Sequence, residues 1–262
     1  MTITSSRPTA FALSKVPEVT VYFWIIKILA TTVGETAADY VNMTLGFGLK
    51  STTVATLGLL AVALVVQMSV RRYVPIIYWV TVLLVSVAGT LVTDNLTDRY
   101  GVPLTTSTAV FAVLLSVVFG TWYATDRTLS IHSIHTRRRE AFYWAAILVT
   151  FALGTAAGDL ISEKYALGYP LSLALFAGII AAVVLGRYAL GLNAVVAFWA
   201  AYIVTRPLGA SLGDLLTAPK GDGGLDLGTN NVTWVFVAVT AVLVGYLTVS
   251  RADRIDAERA AV

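Results

Sequence analysis

Apolar runs of similar length recur along this chain, near residues 19–41, 52–70, 75–96, 106–124, 141–161, 170–188, 193–216 and 231–249. Each is close to or above the roughly 20 residues that a helix needs to cross the hydrocarbon core of a bilayer. The longer ones leave room for tilt. None alternates apolar and polar residues as a barrel strand does, and helices are the other way to satisfy every backbone group in lipid. The first run, after Lys15, exceeds a signal-peptide core and reads as the first transmembrane helix.

The polar interruptions repeat. A tryptophan, nine residues, a glycine, four residues and an aspartate occur four times: Trp24/Gly34/Asp39, Trp79/Gly89/Asp94, Trp144/Gly154/Asp159 and Trp199/Gly209/Asp214. The tryptophans are 55, 65 and 55 residues apart, so each unit is a pair of helices. A second marker opens the second helix of each unit: Gly46-Phe-Gly48-Leu49, Gly101-Val-Pro103-Leu104, Gly168-Tyr-Pro170-Leu171 and Gly224-Leu-Asp226-Leu227. Self-similarity at a near-constant period marks a repeat architecture. The expectation is an all-α membrane protein of eight transmembrane helices, as four parallel helix-hairpin repeats around an axis along the membrane normal. The units divide as a tail 1–14, repeat 1 at 15–72, repeat 2 at 73–127, a basic loop 128–140, repeat 3 at 141–190, repeat 4 at 191–250 and a tail 251–262.

Composition agrees with the membrane class. Apolar residues make up 57% of the chain and charged residues 13%, with a mean hydropathy of +0.79; soluble domains carry about a quarter charged residues. The absence of cysteine excludes disulfides and thiolate metal sites. Twelve Lys and Arg (Arg7, Lys15, Arg71, Arg72, Arg127, Arg137, Arg138, Arg139, Arg187, Arg251, Arg254, Arg259) flank the helices on one side. Four (Lys50, Arg99, Lys164, Lys220) flank them on the other. The positive-inside rule then places both termini in the cytoplasm. The basic residues are spread over short loops, so nucleic acid is not an expected partner; the bilayer is, with a homo-oligomer left open. Arg137 to Arg139 suit topology and anionic lipid.

The segment Lys15-Val-Pro-Glu18, Tyr22-Phe-Trp24, Lys27, Gly34-Glu35 and Asp39 resembles the most characteristic stretch of a family of bacterial membrane proteins, built from four tandem two-helix repeats each marked by a tryptophan. The resemblance runs from about Lys15 to Arg251. It implies an integral membrane protein of this layout and no reaction, since the family has no assigned function.

Within the first helix Lys27, Thr31, Glu35 and Asp39 follow at intervals of four, which stacks them on one face. The same positions read Val82, Ser86, Thr90, Asp94; Ile147, Phe151, Thr155, Asp159; and Tyr202, Arg206, Ala210, Asp214. Only the aspartate recurs, while Lys27, Glu35 and Arg206 break the symmetry. Ionisable side chains in a bilayer are by default hypotheses about function. Two readings of Asp39, Asp94, Asp159 and Asp214 stand: an outer cation site, or structural aspartates that cap the loop, pair with Lys50, Arg99 or Lys164, or reach outer water, near helix ends where the macrodipole disfavours an anion. Glu35, about 24 Å from the inner boundary at about 1.5 Å rise per residue, pairs with Lys27 or Arg206, or exchanges a proton or metal ion. Pro207 is expected to interrupt helix 7 beside Arg206. Trp24, Trp79, Trp144 and Trp199 form an inner aromatic layer or gate, with Tyr22, Tyr78, Tyr143 and Phe198 beside them. The four repeat glycines permit close helix approach. His132-x-x-His135 reads as a solvated loop rather than a metal site.

Three functions are compatible with this pattern. The first is a transporter of a small cation, with Asp39, Asp94, Asp159, Asp214, Glu35 and Thr31 as binding residues and Lys27 and Arg206 as counter-charges. Its ligands are carboxylate, hydroxyl and carbonyl oxygens, which suit hard ions such as Mg²⁺, Ca²⁺ or Mn²⁺, with coupling to protons through Glu35. The metal ion is then substrate, and no covalent cofactor is expected. The second is transport of a small organic solute, and the third a membrane scaffold or sensor acting through the basic loop. No nucleophile–base–acid set points to an enzyme.

Overall fold

The structure, a computed structural model, describes residues 14–253. The expected tails lie largely outside the described residues, Arg7, Arg254 and Arg259 among them. Among the described residues all regular structure is helical. Eight helices are each long and apolar enough to cross a membrane: α1 Val21–Asp39, α2 Leu49–Ser69, α3 Pro75–Asp94, α4 Leu104–Asp126, α5 Arg137–Asp159, α6 Tyr169–Ala189, α7 Ala194–Thr217 and α8 Thr229–Ser250. Their starts follow local chemistry. The hydroxyls of Thr20 and Thr136 accept from the amides of Phe23 and Arg139, and the Asn193 side chain accepts from Val195 and Val196. Proline opens α3, where its missing donor costs nothing.

The odd helices form an inner ring in which α1 packs on α3, α3 on α5, α5 on α7 and α7 back on α1. The even helices lie outside it. Within the most apolar stretch of each helix, 56–61% of an inner one is buried against 11–28% of an outer one. The hairpin expected from the repeat is therefore not the packing unit. Each outer helix lies chiefly on the inner helix of the following repeat, α2 on α3, α4 on α5, α6 on α7 and α8 on α1. This offset links every repeat to the next and closes the ring.

Glycine makes the ring tight. A Cβ on Gly34 would lie 1.9 Å from Ser86 Oγ, one on Gly89 2.7 Å from Phe151 Cβ, one on Gly154 2.4 Å from Arg206 Cγ and one on Gly209 1.9 Å from Thr31 Oγ1. In each seam the repeat glycine of one helix receives the residue seven beyond the tryptophan of the next. Pro207 sits against Gly154 and Gly158, and α7 runs unbroken through it. The interruption expected there does not occur.

Three inner helices also extend past their aspartates. Asp39, Asp94 and Asp159 are each followed by one π turn, Tyr40–Thr44, Asn95–Arg99 and Leu160–Lys164. The predicted helix ends fell short by this turn, because a π turn keeps the apolar spacing poorly.

Residues 14–18 and Asp253 are tied together at the opposite end, the basic end, named for its Arg-rich loops. The Ser14 carbonyl accepts from the Tyr73 amide at 3.1 Å, Lys15 N–H donates to Ile134 at 3.3 Å and Glu18 N–H to the Asp253 carbonyl at 3.0 Å. Lys15 Nζ lies 2.6 Å from Glu140, which also accepts from Gln67 at 3.2 Å. Tyr73 donates its hydroxyl to Asp253. Burial first, and then the Asp253 charge, push the Tyr73 phenol well above its ordinary pKa.

Gly34→Ala and Gly209→Ala each destabilise the fold by about 1–3 kcal/mol through overpacking. They do so although alanine is the better helix former by about 0.8–1 kcal/mol. Gly58→Ala and Gly120→Ala on outer helices, where a Cβ meets nothing within 4 Å, leave stability unchanged or raise it. Thermal melting in mild detergent gives the sign. At the basic end, Lys15→Met alone is expected to cost about 3–5 kcal/mol, because it leaves the buried Glu140 carboxylate without its cation. Adding Glu140→Leu recovers most of that loss, measured as a double-mutant cycle by denaturant unfolding.

Candidate functional site

The spacing of four along each inner helix becomes a series of rungs down the centre of the ring. At the end away from residues 14 and 253, Asp39, Asp94, Asp159 and Asp214 line one cavity of about 350 Å³. Glu35 also lines it, and is within electrostatic reach of all four aspartates. Asp98 and Glu163 complete a lining of seven carboxylates, with no lysine, arginine or histidine among them. None of the four aspartate side chains makes a hydrogen bond or ion pair to the described residues, and those preceding π turns do not cap them. The capping and loop-pairing reading is not realised: Lys164 donates to Thr105, and Arg99 lies over Tyr100.

Asp98 and Glu163 were missed by the sequence reading, although their signal was present. Each lies four residues beyond its repeat aspartate, and the same position in the other repeats, Met43 and Ala218, also lines the cavity. The apolar runs end within two residues of Asp94 and Asp159, and the π turns carry the ladder one rung beyond them.

Glu35 pairs with Arg206, its Oε2 lying 2.8 Å from the guanidinium. The same nitrogen of Arg206 donates to Thr155 Oγ1 at 2.7 Å and to Thr90 Oγ1. Glu35, Thr90 and Thr155 are equivalent positions of repeats 1, 2 and 3, and Arg206 reaches up from the rung below in repeat 4. The fourth equivalent is Ala210, small enough to leave the guanidinium its space. Arg206 is wholly buried and the Glu35 side chain 10% exposed, so the pair separates the cavity from the core beneath. Thr31 faces elsewhere. Its hydroxyl donates to Ile28 and to Thr205, and it fills the Gly209 seam.

One rung lower, Lys27 is fully buried and its Nζ has no hydrogen-bond partner among the described residues. It lies 3.7 Å from the centre of the Tyr202 ring and 4.8 Å from that of Phe151. A desolvated cation–π contact is worth about 2 kcal/mol or more, less than a buried ammonium loses in leaving water.

The aromatic layer follows, arranged differently from the expected ring of indoles. Phe23, Tyr78, Tyr143 and Phe198 continue the ladder, and the tryptophans fill the seams between neighbouring helices. Phe23 meets Trp79 at 5.6 Å between ring centres, Tyr78 meets Trp144 at 5.6 Å, Tyr143 meets Trp199 at 6.3 Å and Phe198 meets Trp24 at 5.7 Å. Tyr78 and Tyr143 share a hydrogen bond of 2.5 Å. Tyr22 instead packs on Tyr246 of α8. Together with residues 14–18 this layer closes the basic end.

No group of three or more Asp, Glu, His or Cys among the described residues is gathered tightly enough to hold one metal ion. The carboxylates share a cavity without forming a coordination shell. His132 lies in the loop at the basic end, where burial lowers its pKa and the Glu18 charge partly offsets this.

No curated protein and no solved structure matches the chain. The family model described as Repeat of Unknown Function (DUF347) matches residues 22–73, 77–128, 142–191 and 197–253, one copy for each pair of helices, and the chain belongs to that repeat family.

Proposed function

We propose that this protein transports a small cation across the bacterial cytoplasmic membrane, with the acidic cavity as its outward-facing mouth. One observation carries the reading: seven carboxylates line a single cavity, and among the described residues the only cation bonded to any of them is Arg206 on Glu35. Such a concentration of like charge between low-dielectric walls raises the local concentration of counter-ions.

A hydrated ion suits the cavity better than a bare one. Its volume of about 350 Å³ corresponds to roughly twelve waters at about 30 Å³ each. With no three Asp, Glu, His or Cys side chains in metal-binding range among the described residues, an ion there keeps part of its water shell, as Mg²⁺ commonly does. Hard divalent cations therefore fit this reading, with Mn²⁺ and Ca²⁺ as the neighbouring cases.

Arg206 acts as a tethered surrogate for the substrate. While no ion is deep in the cavity, its guanidinium neutralises Glu35 and takes the hydroxyls of Thr90 and Thr155. An ion or proton reaching Glu35 displaces Arg206, and the freed guanidinium must find new acceptors in the core. That exchange couples occupancy of the cavity to the packing of α7 against α1, α3 and α5.

Reconstituted into proteoliposomes, the protein is expected to carry at least one of Mg²⁺, Ca²⁺ or Mn²⁺. The combined Asp39→Asn, Asp94→Asn, Asp159→Asn and Asp214→Asn variant should raise KM at least tenfold, a loss of about 1.4 kcal/mol in ion capture. Unchanged flux in that variant sinks the cation reading. Uptake of an organic amine, with no metal flux at all, would redirect it to an organic cation. Glu35→Gln should leave capture at the mouth intact and lower the maximal rate by at least tenfold, read from initial rates over a range of ion concentrations.

A further inference from the structure

The fourth seam of the ring is built unlike the other three. Gln67, Trp122 and Arg187 stand at the same 55- and 65-residue spacing as the first three repeat tryptophans, near the basic ends of α2, α4 and α6. Gln67 and Trp122 are buried. Gln67 donates to Glu140, and Trp122 lies against Trp199 at 6.0 Å and stacks on Phe142 at 6.3 Å. In α8, Leu247 is likewise buried. Only α6 places a charged residue there, and Arg187 is exposed.

Its neighbour changes in the same sense. Phe119 of α4 packs on Trp199 at 4.8 Å, whereas the residue at the same spacing in α6 is Val184, 46% exposed. Two aromatic side chains that seal one seam are thus replaced by a valine and an arginine. The result is a groove of about 360 Å³ between α6 and α1, floored by α7 and lined by Ile28, Ile180, Val184, Ala201 and, at its basic end, Arg187. Trp24 lines it too, and is the one repeat tryptophan that is not buried.

We propose that this seam binds an anionic glycerophospholipid, its phosphate on Arg187 and one acyl chain along Val184, Ile180 and Ile28 over the Trp24 indole. Depth and charge select this occupant. The groove runs along α6 from the last turn toward the middle of the span, about 10 Å between Arg187 and Ile180 at about 1.5 Å per residue. An apolar slot opening at that depth meets acyl chains. Arg187 donates only to the Leu192 carbonyl, at 3.3 Å, and has no carboxylate partner among the described residues. A guanidinium on an apolar slot at the end of a span matches a lipid phosphate, which it can bond in bidentate fashion. Zwitterionic lipid offers the same chain without the net negative charge.

Native mass spectrometry of the delipidated protein, titrated with phosphatidylglycerol or phosphatidylcholine of equal chain length, tests this. One phosphatidylglycerol should bind with at least tenfold preference. Arg187→Gln should reduce the preference below threefold, and Val184→Phe, which restores the aromatic seal, should abolish the site for both lipids. Should Val184→Phe fail to fold, a phosphatidylglycerol with a photoreactive acyl chain replaces it: cross-links must concentrate in residues 180–188 and 197–205. Equal binding of the two lipids, indifference to Arg187→Gln, or cross-links spread evenly over the outer helices overturns the proposal. So does a dimer by native mass that Val184→Phe splits, since the occupant would then be a second copy.

Discussion

The glycine in each seam decides how close the inner helices come, and most of the molecule follows from that distance. Gly34, Gly89, Gly154 and Gly209 each admit a side chain of the next helix where any Cβ would collide. Because the four contacts close on themselves, the helices surround a narrow axis, and residues spaced by four on each helix become layers across it. A wider ring would leave a pore; a ring without closure would leave each helix one polar edge in lipid. Association in a bilayer lacks the hydrophobic driving force that assembles soluble bundles, so close packing of small residues carries much of it.

Once the layers exist, the departures from repeat symmetry acquire partners. Glu35 and Arg206 are 171 residues apart in sequence, yet they meet because one lies a rung above the other in helices that share a seam. The hydroxyls of Thr90 and Thr155 fill out the guanidinium's bonding, and Ala210 keeps the fourth place clear. A buried pair of this kind is weak evidence for stability, since well-packed apolar residues would often serve as well. Its retention at the floor of an acidic cavity is better understood as function. Lys27, held by ring faces alone, follows the same logic one level down.

The outer helices obey a looser rule. Lying on the following repeat rather than their own, they staple the ring from outside, with Gln67, Trp122 and Leu247 buried against three of its seams. The fourth is left open at the same residue positions, where two changes of side-chain type, to Val184 and Arg187, convert packing into a groove. Symmetry breaking thus occurs twice in this fold, on the axis with charge and on the perimeter with volume.

The sequence by itself determined the helix count, the fourfold tandem repeat and the placing of polar residues on one helical face. These depend on local periodicity and on the cost of polar groups in hydrocarbon, both readable one residue at a time. Even the missed acidic rung, Asp98 and Glu163, was legible as one more interval of four. Tertiary structure alone decided that α2 lies on α3 rather than α1, that Arg206 and not Lys27 takes Glu35, and that the indoles fill seams instead of the axis. It also kept α7 straight through Pro207, because Gly154 and Gly158 of the neighbouring helix accept the proline ring. Each of those outcomes depends on which helix faces which across the ring. Helix-to-helix contact is set by the fit of small and large side chains from distant repeats, a quantity that no single segment of the chain contains.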